Sequence, residues 1–356
     1  MTLTTLSAED RVPRNHPIRR IKGLAHAALR DLSPVFDEMY EESGRRSIPP
    51  ERLLKASLLM ALYTVRSERL FCEQLDYNLL FRWFLDMNLE EPSFDHSTFS
   101  RNRERLLSHE VGPRFLSAIL DRAQQAHLLS REHFTVDGTL IEASASLKTF
   151  PPKDEDPKDR PPTDDPGNPT INFHGEKRSN ATHASTTDPE STLARKSSGT
   201  TAKLSFAQHL LMENRHGLIV DLSITSTVGT SEAREAVTLL KRFQRRARRG
   251  TVAGDRGYDK AAFVDGSRAR GLTPHVAVNV KQPGGTRIDG RTSRHAGYAV
   301  SQRVRKRIEE VFGWMKVIGG FRRTRFRGRR RTEFAAYLVG AAYNLLRMSK
   351  LDVAIV

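Results

Sequence analysis

Two aspartates in this sequence follow short, mostly apolar segments. Residues 133–136 alternate in polarity before Asp137, and residues 251–254 precede Asp255. Both segments predict short strands, the first of them half-buried. An ionised carboxylate at the end of a buried strand is costly unless a cation or a hydrogen-bond donor pairs with it. Asp137 and Asp255 are therefore candidates for chemistry.

Glu309 is a third candidate, and the segment from Arg305 to Lys316 predicts a helix. Arg305, Glu309 and Lys316 form one stripe along this helix, about 110° from its apolar side. Alone, such a stripe is more typical of a solvent-exposed ion pair at i and i+4. Glu310 projects about 120° from the stripe and is predicted to face solvent. The apolar side predicts a core stripe made of Val304, Ile308, Val311, Met315 and Ile318.

Held together, the three carboxylates predict a metal site. Asp137 and Asp255 are 118 residues apart, and Glu309 follows after a further 54. Such a site would be assembled from distant segments. Clustered carboxylates repel one another without cations, and their oxygen atoms favour Mg²⁺ or Mn²⁺.

Three motifs in this order resemble the DDE transposases of bacterial insertion sequences, and among them the IS5-like group. Segments 136–139 and 254–259 are similar to the first and second acid motifs of that family. The pattern around its third acid is Tyr, two residues, Arg, three residues, Glu, six residues and Lys. Arg305, Glu309 and Lys316 match those spacings.

The resemblance covers nearly the whole chain and departs from the family pattern at one position. Gln302 stands where the family has tyrosine, and Tyr298 lies four residues earlier. The departure bears on whatever contact the tyrosine makes.

The resemblance implies an RNase H-like fold that brings Asp137, Asp255 and Glu309 together around two Mg²⁺ or Mn²⁺ ions, about 3.5–4 Å apart. Arg305 and Lys316 would hold a phosphate nearby. The implied reaction is cleavage of double-stranded DNA at terminal inverted repeats, followed by transfer of the 3′ ends into target DNA. Because two DNA ends are brought together, the resemblance also implies a homo-oligomer on DNA.

Composition is consistent with an anionic partner. The chain has 356 residues, which suits two domains, and its net charge is +16 with a pI near 10.2. Residues 301–350 hold 14 lysines and arginines against three glutamates. A high positive charge can serve solubility alone, but this clustering favours a nucleic acid as the binding partner.

Cysteine content and hydropathy exclude several classes of protein. The single cysteine, Cys72, is predicted to be a small core residue and rules out an intrachain disulfide or a cysteine-based metal site. No apolar run approaches 18 residues, and no basic start precedes an apolar run. We expect a cytoplasmic protein, and the resemblance implies a bacterial one associated with the nucleoid.

Residues 1–125 predict an all-helical, DNA-binding domain. Asp95 is a suitable N-cap for the helix that follows it. Ser97, Arg101 and Arg105 share one face of this helix and could contact DNA as the second helix of a helix-turn-helix-like unit. A solvated helix face explains them equally well. The resemblance favours DNA binding without selecting residues.

Residues 126–356 predict a mixed α/β domain. The order of elements is strand, hairpin, helix, strand, helix, strand and helix, which indicates a mixed sheet flanked by helices. Residues 150–202 are rich in Pro, Asp, Ser and Thr and predict a disordered insertion. The remaining predictions are a hairpin turn at 214–217, helices over 232–249, 260–270 and 333–348, a strand over 274–280 and a loop over 281–300.

The segment before the last helix interleaves arginines with aromatic residues and adds candidate DNA contacts at Arg322, Arg323 and Arg325. Thr332 is the predicted cap of that helix.

The sequence raises three other functions, and two of them remain open at this point. Residues 136–140 resemble the first motif of haloacid-dehalogenase phosphatases, but Thr135 occupies the position of the nucleophilic aspartate, which rejects that class. A transposon-derived DNA-binding protein without catalysis is the second alternative. A metal-dependent RNase H-like nuclease without strand transfer is the third.

Overall fold

The computed structural model describes residues 7–39, 48–153, 172–173, 176–197, 199–229, 232–243, 250–281 and 283–351. Its helices are α1 (Ala8–Arg11), α2 (Pro17–Arg30), α3 (Ser33–Met39), α4 (Pro50–Leu62), α5 (Glu68–Tyr77), α6 (Leu79–Phe84), α7 (Ser97–Ser108), α8 (Val111–Gln125), α9 (Glu232–Arg242), α10 (Ala261–Arg268), α11 (Gly290–Arg294), α12 (Ala296–Val304), α13 (Arg307–Val317) and α14 (Arg329–Lys350).

The strands are β1 (His133–Glu142), β2 (Asn172–Phe173), β3 (Glu176–Lys177), β4 (Thr192–Ala194), β5 (Lys203–Glu213), β6 (Leu218–Ser226), β7 (Gly250–Gly254) and β8 (Leu272–Val276). Two short 3₁₀ helices, η1 (Leu147–Thr149) and η2 (Arg256–Tyr258), complete the described elements.

Helices make up the first part of the chain, as the sequence predicts. Local capping begins them: the His16 ring accepts the N–H of Ile18 before Pro17 opens α2, and Ser67 caps α5. Cys72 is buried, and so are the aromatic residues of α6. Asp95, the predicted N-cap, accepts the N–H of Ser97, but the N-cap of α7 is His96, one residue later.

The helical region and the sheet share one apolar core. The C-terminal helix α14 packs against α2, α4 and α8 on one side and against β6 on the other. A single buried cluster therefore contains residues from both predicted domains. The domain boundary that the sequence predicts near residue 125 therefore stays a prediction.

The sheet is mixed, as predicted. Its order is β6–β5–β1–β7–β8. The short strand β4 pairs with β5 on the same edge as β6. β1, β5 and β6 are antiparallel neighbours, whereas β7 and β8 run parallel to β1. Three antiparallel strands followed by two parallel ones, in this order, is the RNase H-like arrangement. The predicted fold class is confirmed.

Helices cover both faces of this sheet. Phe134 and Val136 of β1 pack in a cluster with α9 and α10. Farther along β1, Ile141 joins the cluster that contains α13 and α14. Because side chains alternate along a strand, Asp137 and Thr139 lie on the α13 side of the sheet.

The β5–β6 hairpin turns as predicted. Gly217 adopts φ +74°, a left-handed conformation that favours glycine. The buried carboxylate of Glu213 accepts the N–H groups of Arg215 and His216 and so closes the turn.

Part of the insertion that was predicted to be disordered is folded. β4 pairs with β5, and the Asn180 side chain hydrogen-bonds both backbone groups of Leu193. Short polar side chains here close turns against the backbone instead of leaving the segment unfolded. The acidic, Pro-rich runs within 154–171 lie outside the described residues.

Two predicted boundaries are also corrected, and a third lies partly outside the described residues. The predicted loop over 281–300 contains α11 and the start of α12, because Asp289 accepts the N–H of Thr292 and caps α11. Strand β8 stops at Val276 and not at residue 280. Helix α9 is described to Arg242, and the basic run 245–249 of the predicted helix lies outside the described residues.

Within the residues that the structure describes, no helix combines the length and apolarity needed to cross a membrane.

Candidate active site

Asp137 and Asp255 lie where two strands of the sheet diverge. β1 and β7 pair only from His133 to Thr135 on β1. Beyond that point β1 continues beside β5, whereas β7 ends at Gly254. Asp137 and Asp255 each follow the last β1–β7 pair by two residues. Their side chains therefore flank the opening between the two strands.

Electrostatic effects on Asp137 identify its neighbours. Burial raises the pKa of Asp137 to about 6, and the charges of Asp255 and Glu232 raise it further. The Gly138 N–H, which donates to Asp137 Oδ1 at 2.8 Å, and the charge of Arg305 act in the opposite direction. The charges of Asp255, Glu232 and Arg305 therefore contribute to the electrostatic environment of Asp137.

The turn after β7 holds Asp255 in place. Asp255 Oδ1 accepts the N–H of Gly257 at 2.8 Å and caps η2. Tyr258 is buried beneath the turn, and a Cβ atom on Gly254 would lie 3.0 Å from Tyr258 Cβ. Burial raises the pKa of the Tyr258 phenol well above its usual value, and the charges of Asp137, Glu232 and Asp255 add to this. The charges of all three carboxylates therefore act on this one buried ring.

Asp259, the last residue of the second acid motif, has a structural role. It is fully buried and accepts the N–H groups of Asn279 and Arg287, each at 2.8 Å. It thereby ties the loop after β8 to the Asp255 turn.

Glu232 is a further acid whose charge acts on Asp137, and no sequence pattern predicted it. It lies in the first turn of α9, where acidic residues are common because they complement the helix dipole. Partial burial raises its pKa, and the charge of Asp255 adds to this increase. Its sequence position gave no signal of a site, because only the fold brings α9 to β1.

Glu309 lies on α13, which runs beside β1. At the far end of its stripe, Lys316 Nζ donates to Thr139 Oγ1 at 2.6 Å. At the near end, the charge of Arg305 acts on Asp137. Since residues seven apart share a helix face, Glu309 lies between these two contacts. Its side chain is exposed to solvent.

Glu310 lies on a different side of α13, as predicted. It is exposed, and its charge contributes to the raised pKa of Tyr343 on α14, which burial chiefly causes. Glu309 and Glu310 therefore have different surroundings.

Two details of the predicted helix are corrected. Ile308, Val311 and Met315 are buried, but Ile318 is 39% exposed because α13 ends just before it. Arg305 is the C-cap of α12, and the Ile308 N–H bonds back to the Arg305 carbonyl, so a tightened turn separates the two helices.

Gln302, at the position where the resemblance expects tyrosine, positions Arg305. Gln302 Nε2 donates to the His275 carbonyl at 2.6 Å, and Arg305 Nε donates to Gln302 Oε1 at 3.1 Å. Tyr298 Oη donates to the neighbouring carbonyl of Val276 at 2.8 Å. The glutamine thus links the end of β8 to the cation beside Asp137.

The other predicted DNA contacts divide into two groups. Arg322 lies close enough to Lys316 for its charge to lower the Lys316 pKa, although burial is the main cause. Arg101 and Arg105 lie on exposed positions of α7. In contrast, Arg323 donates to the Ala143 carbonyl and Arg325 to the Arg66 carbonyl, so both guanidinium groups also join segments of the protein.

The donor set suits a hard divalent cation. Asp137, Asp255, Glu232 and Glu309 offer only carboxylate oxygens, which Mg²⁺ and Mn²⁺ prefer. Across the described ranges, no three His, Cys, Asp or Glu side chains are arranged so that they could hold a metal ion. The acids are neighbours without forming a complete coordination shell.

Two family models match this chain. Residues 6–105 match the family model described as Transposase domain (DUF772), and residues 130–345 match the Transposase DDE domain. No curated protein sequence matches the chain.

Solved transposase structures are similar at low identity. A piggyBac transposase synaptic complex with hairpin DNA shares 11% identity and a TM-score of 0.40, over 94% of this chain and 74% of that chain. A Mos1 transposase paired-end complex with left transposon end shares 12% identity and a TM-score of 0.22. The match covers 91% of this chain and 87% of that chain. A Mos1 mariner paired-end complex with Mn shares 12% identity and a TM-score of 0.21. The match covers 96% of this chain and 100% of that chain.

The DDE domain match covers more than half of the chain and contains β1, β7 and α13 with their acids. The match to the first model covers most of the helical region that precedes the sheet. The chain therefore belongs to the Transposase DDE domain family and is a DNA transposase of the insertion-sequence type.

Proposed function

We propose that this transposase cleaves the ends of an IS5-like insertion sequence at terminal inverted repeats and joins the 3′ ends to target DNA. The observation that carries the proposal is the meeting of Asp137 and Asp255 at the β1–β7 opening, beside a helix that bears Glu309. Lys316 shares the α13 stripe of Glu309 and bonds Thr139, and Arg305, the C-cap of α12, acts on Asp137 through its charge.

Asp137, Asp255 and Glu309 are the proposed catalytic acids and would hold two Mg²⁺ or Mn²⁺ ions. When bound, such ions activate a water molecule or a DNA 3′-OH and stabilise the leaving oxygen. The acids must be ionised to act as ligands. Arg305 favours the ionised form of Asp137 through its charge.

The cations of the site would bind the reacting phosphate. Gln302 holds Arg305 from one side, and Thr139 holds Lys316. Fixed cations contribute more than mobile ones because the side chains are already ordered when charge develops on the phosphate.

Double-stranded DNA is the proposed partner, both as terminal repeat and as target. Arg322 extends the cationic surface beyond Lys316, and Arg101 and Arg105 would contact DNA from α7. Arg323 and Arg325 would contact DNA through guanidinium N–H groups that do not bond to the protein. We further propose a homo-oligomer on paired DNA ends and association with the bacterial nucleoid.

The test is a cleavage and joining assay with the full chain. A labelled duplex that ends in the flanking terminal repeat is incubated with Mg²⁺ or EDTA, and a pre-cut 3′-OH end is offered with plasmid target. We expect metal-dependent cuts at the repeat end and joining of the pre-cut end. Cutting without joining would indicate a nuclease, and binding without either would indicate a catalytically silent DNA-binding protein.

A further inference from the structure

Glu232 approaches the site from the side of the sheet opposite α13. Its helix, α9, packs with Phe134 and Val136 of β1, whereas Asp137 and Thr139 face α13. Across the sheet, the charge of Glu232 acts on Asp137, and the charge of Asp255 acts on Glu232. Part of the Glu232 side chain remains exposed to solvent.

The absence of a side chain at Gly138 makes this approach possible. A Cβ atom on Gly138 would lie 3.3 Å from Glu232 Oε1, a tight contact. The Glu232 carboxylate therefore lies directly over the backbone next to Asp137. Its charge acts on Asp137, and the charge of Asp255 acts on it.

A buried histidine points at the same place. His209 pairs with Gly138 in the β1–β5 register and is only 2% exposed. Its Nε2 shares a hydrogen bond of 2.8 Å with Thr225 Oγ1, but Nδ1 has no hydrogen-bond partner within the described part of the chain. Nδ1 would lie 3.5 Å from the same Cβ atom on Gly138.

An unpaired buried nitrogen is costly. His209 Nδ1 and Glu232 Oε1 both lie within 3.5 Å of the point that a Cβ atom on Gly138 would occupy, so a polar ligand bound there could pair with this nitrogen. A role for Glu232 in the helix dipole alone would not explain why an unpaired, buried nitrogen faces the same point.

We propose that Glu232 is a further carboxylate ligand of the divalent-metal site formed by Asp137 and Asp255. The inference rests on the proposed function. It assigns to this chain an acid from α9 in addition to the acid from α13, so that ligands approach the metal site from both faces of the sheet.

Metal binding by the full chain without DNA tests the proposal directly. Mn²⁺ is titrated into the wild type, Glu232→Gln, Asp137→Asn and Glu235→Gln, and free Mn²⁺ is followed by electron paramagnetic resonance. Glu235 shares the first turn of α9 and controls for helix-dipole effects. We expect Glu232→Gln to weaken Mn²⁺ binding about 10- to 100-fold and Glu235→Gln to leave it unchanged.

Thermal unfolding of each variant, with and without Mn²⁺, shows whether the fold is intact. Wild-type stabilisation by Mn²⁺ that is reduced in Glu232→Gln would support the inference. If Asp137→Asn loses Mn²⁺ binding while Glu232→Gln binds like the wild type, the inference is overturned and the proposed function stands. If the wild type itself binds no Mn²⁺, both are overturned.

Discussion

Lys316 Nζ on α13 and Thr139 Oγ1 on β1 are 2.6 Å apart, and this hydrogen bond ties the helix of Glu309 to the strand of Asp137. Thr139 follows Asp137 by two residues and shares its face of the strand. The bond therefore sets the position of Glu309 relative to the first aspartate.

Replacing Lys316 should affect cleavage more than DNA binding. We expect Lys316→Ala to slow repeat-end cleavage about 10- to 100-fold, because a fixed cation near the reacting phosphate is lost. Thr139→Val keeps the cation but removes its acceptor, so the rate should fall by a factor of about 2 to 10. Lys350→Ala, at the exposed end of α14, is the control. Cleavage by Lys316→Ala at the wild-type rate would refute the role of this lysine.

The two neighbouring glutamates of α13 should differ sharply. We expect Glu309→Gln to reduce metal-dependent cleavage by about a hundredfold or more, since a metal ligand is lost. Glu310→Gln should cleave like the wild type, because Glu310 lies toward Tyr343. Single-turnover cleavage of the same duplex compares them. The opposite ranking would show that the assignment of the third acid is wrong.

Two glycines should respond to alanine with opposite signs. A Cβ atom on Gly254 would meet Tyr258 Cβ at 3.0 Å, whereas one on Gly313 in α13 meets nothing within 4 Å. We expect Gly254→Ala to lower the free energy of unfolding by about 1–3 kcal/mol through overpacking. Gly313→Ala should raise it by about 0.5–1 kcal/mol through helix propensity. Urea unfolding measures both, and a stabilising Gly254→Ala would contradict the packing of the Asp255 turn.

Stability should fall in mild acid partly because of His133. Burial lowers its pKa to about 4, and the charge of His275 adds to this. Since an unfolded histidine titrates near 6.5, the folded state favours the neutral ring. The contribution is present above pH 6.5 and is lost as the pH falls toward 4.

Urea unfolding at pH 7.5 and pH 5 tests this effect. His133→Gln cannot titrate, so its loss of stability between the two values should be smaller than that of the wild type, by on the order of 1 kcal/mol. Equal losses in the two proteins would exclude the histidine as a source of the pH dependence.

Local sequence signals predicted the parts of the site that depend on one element. A strand followed by an aspartate predicted the settings of Asp137 and Asp255, because strand ends are marked by alternation and glycine. Helical spacing placed Lys316 and Glu309 on one stripe, and the Lys316–Thr139 contact agrees with it.

What the sequence could not predict depends on contacts between distant segments. Glu232 reaches the site only through the divergence of β1 and β7. Helix α14 begins at Arg329 and not at the predicted Glu333, because Glu190 Oε2 accepts the Arg329 N–H at 2.8 Å, while Thr332 is buried. Because the acceptor lies 139 residues earlier in the chain, no sequence pattern near Arg329 predicts this hydrogen bond.

The most direct test of the central claim is the cleavage of terminal-repeat DNA by Asp137→Asn. Asp265→Asn, an exposed position of α10, serves as the control, and DNA binding is measured in parallel. We predict that Asp137→Asn binds the repeat but does not cut it in Mg²⁺ or Mn²⁺, whereas the control cuts normally. Metal-dependent cutting at the repeat end by Asp137→Asn at the wild-type rate would contradict the proposed active site.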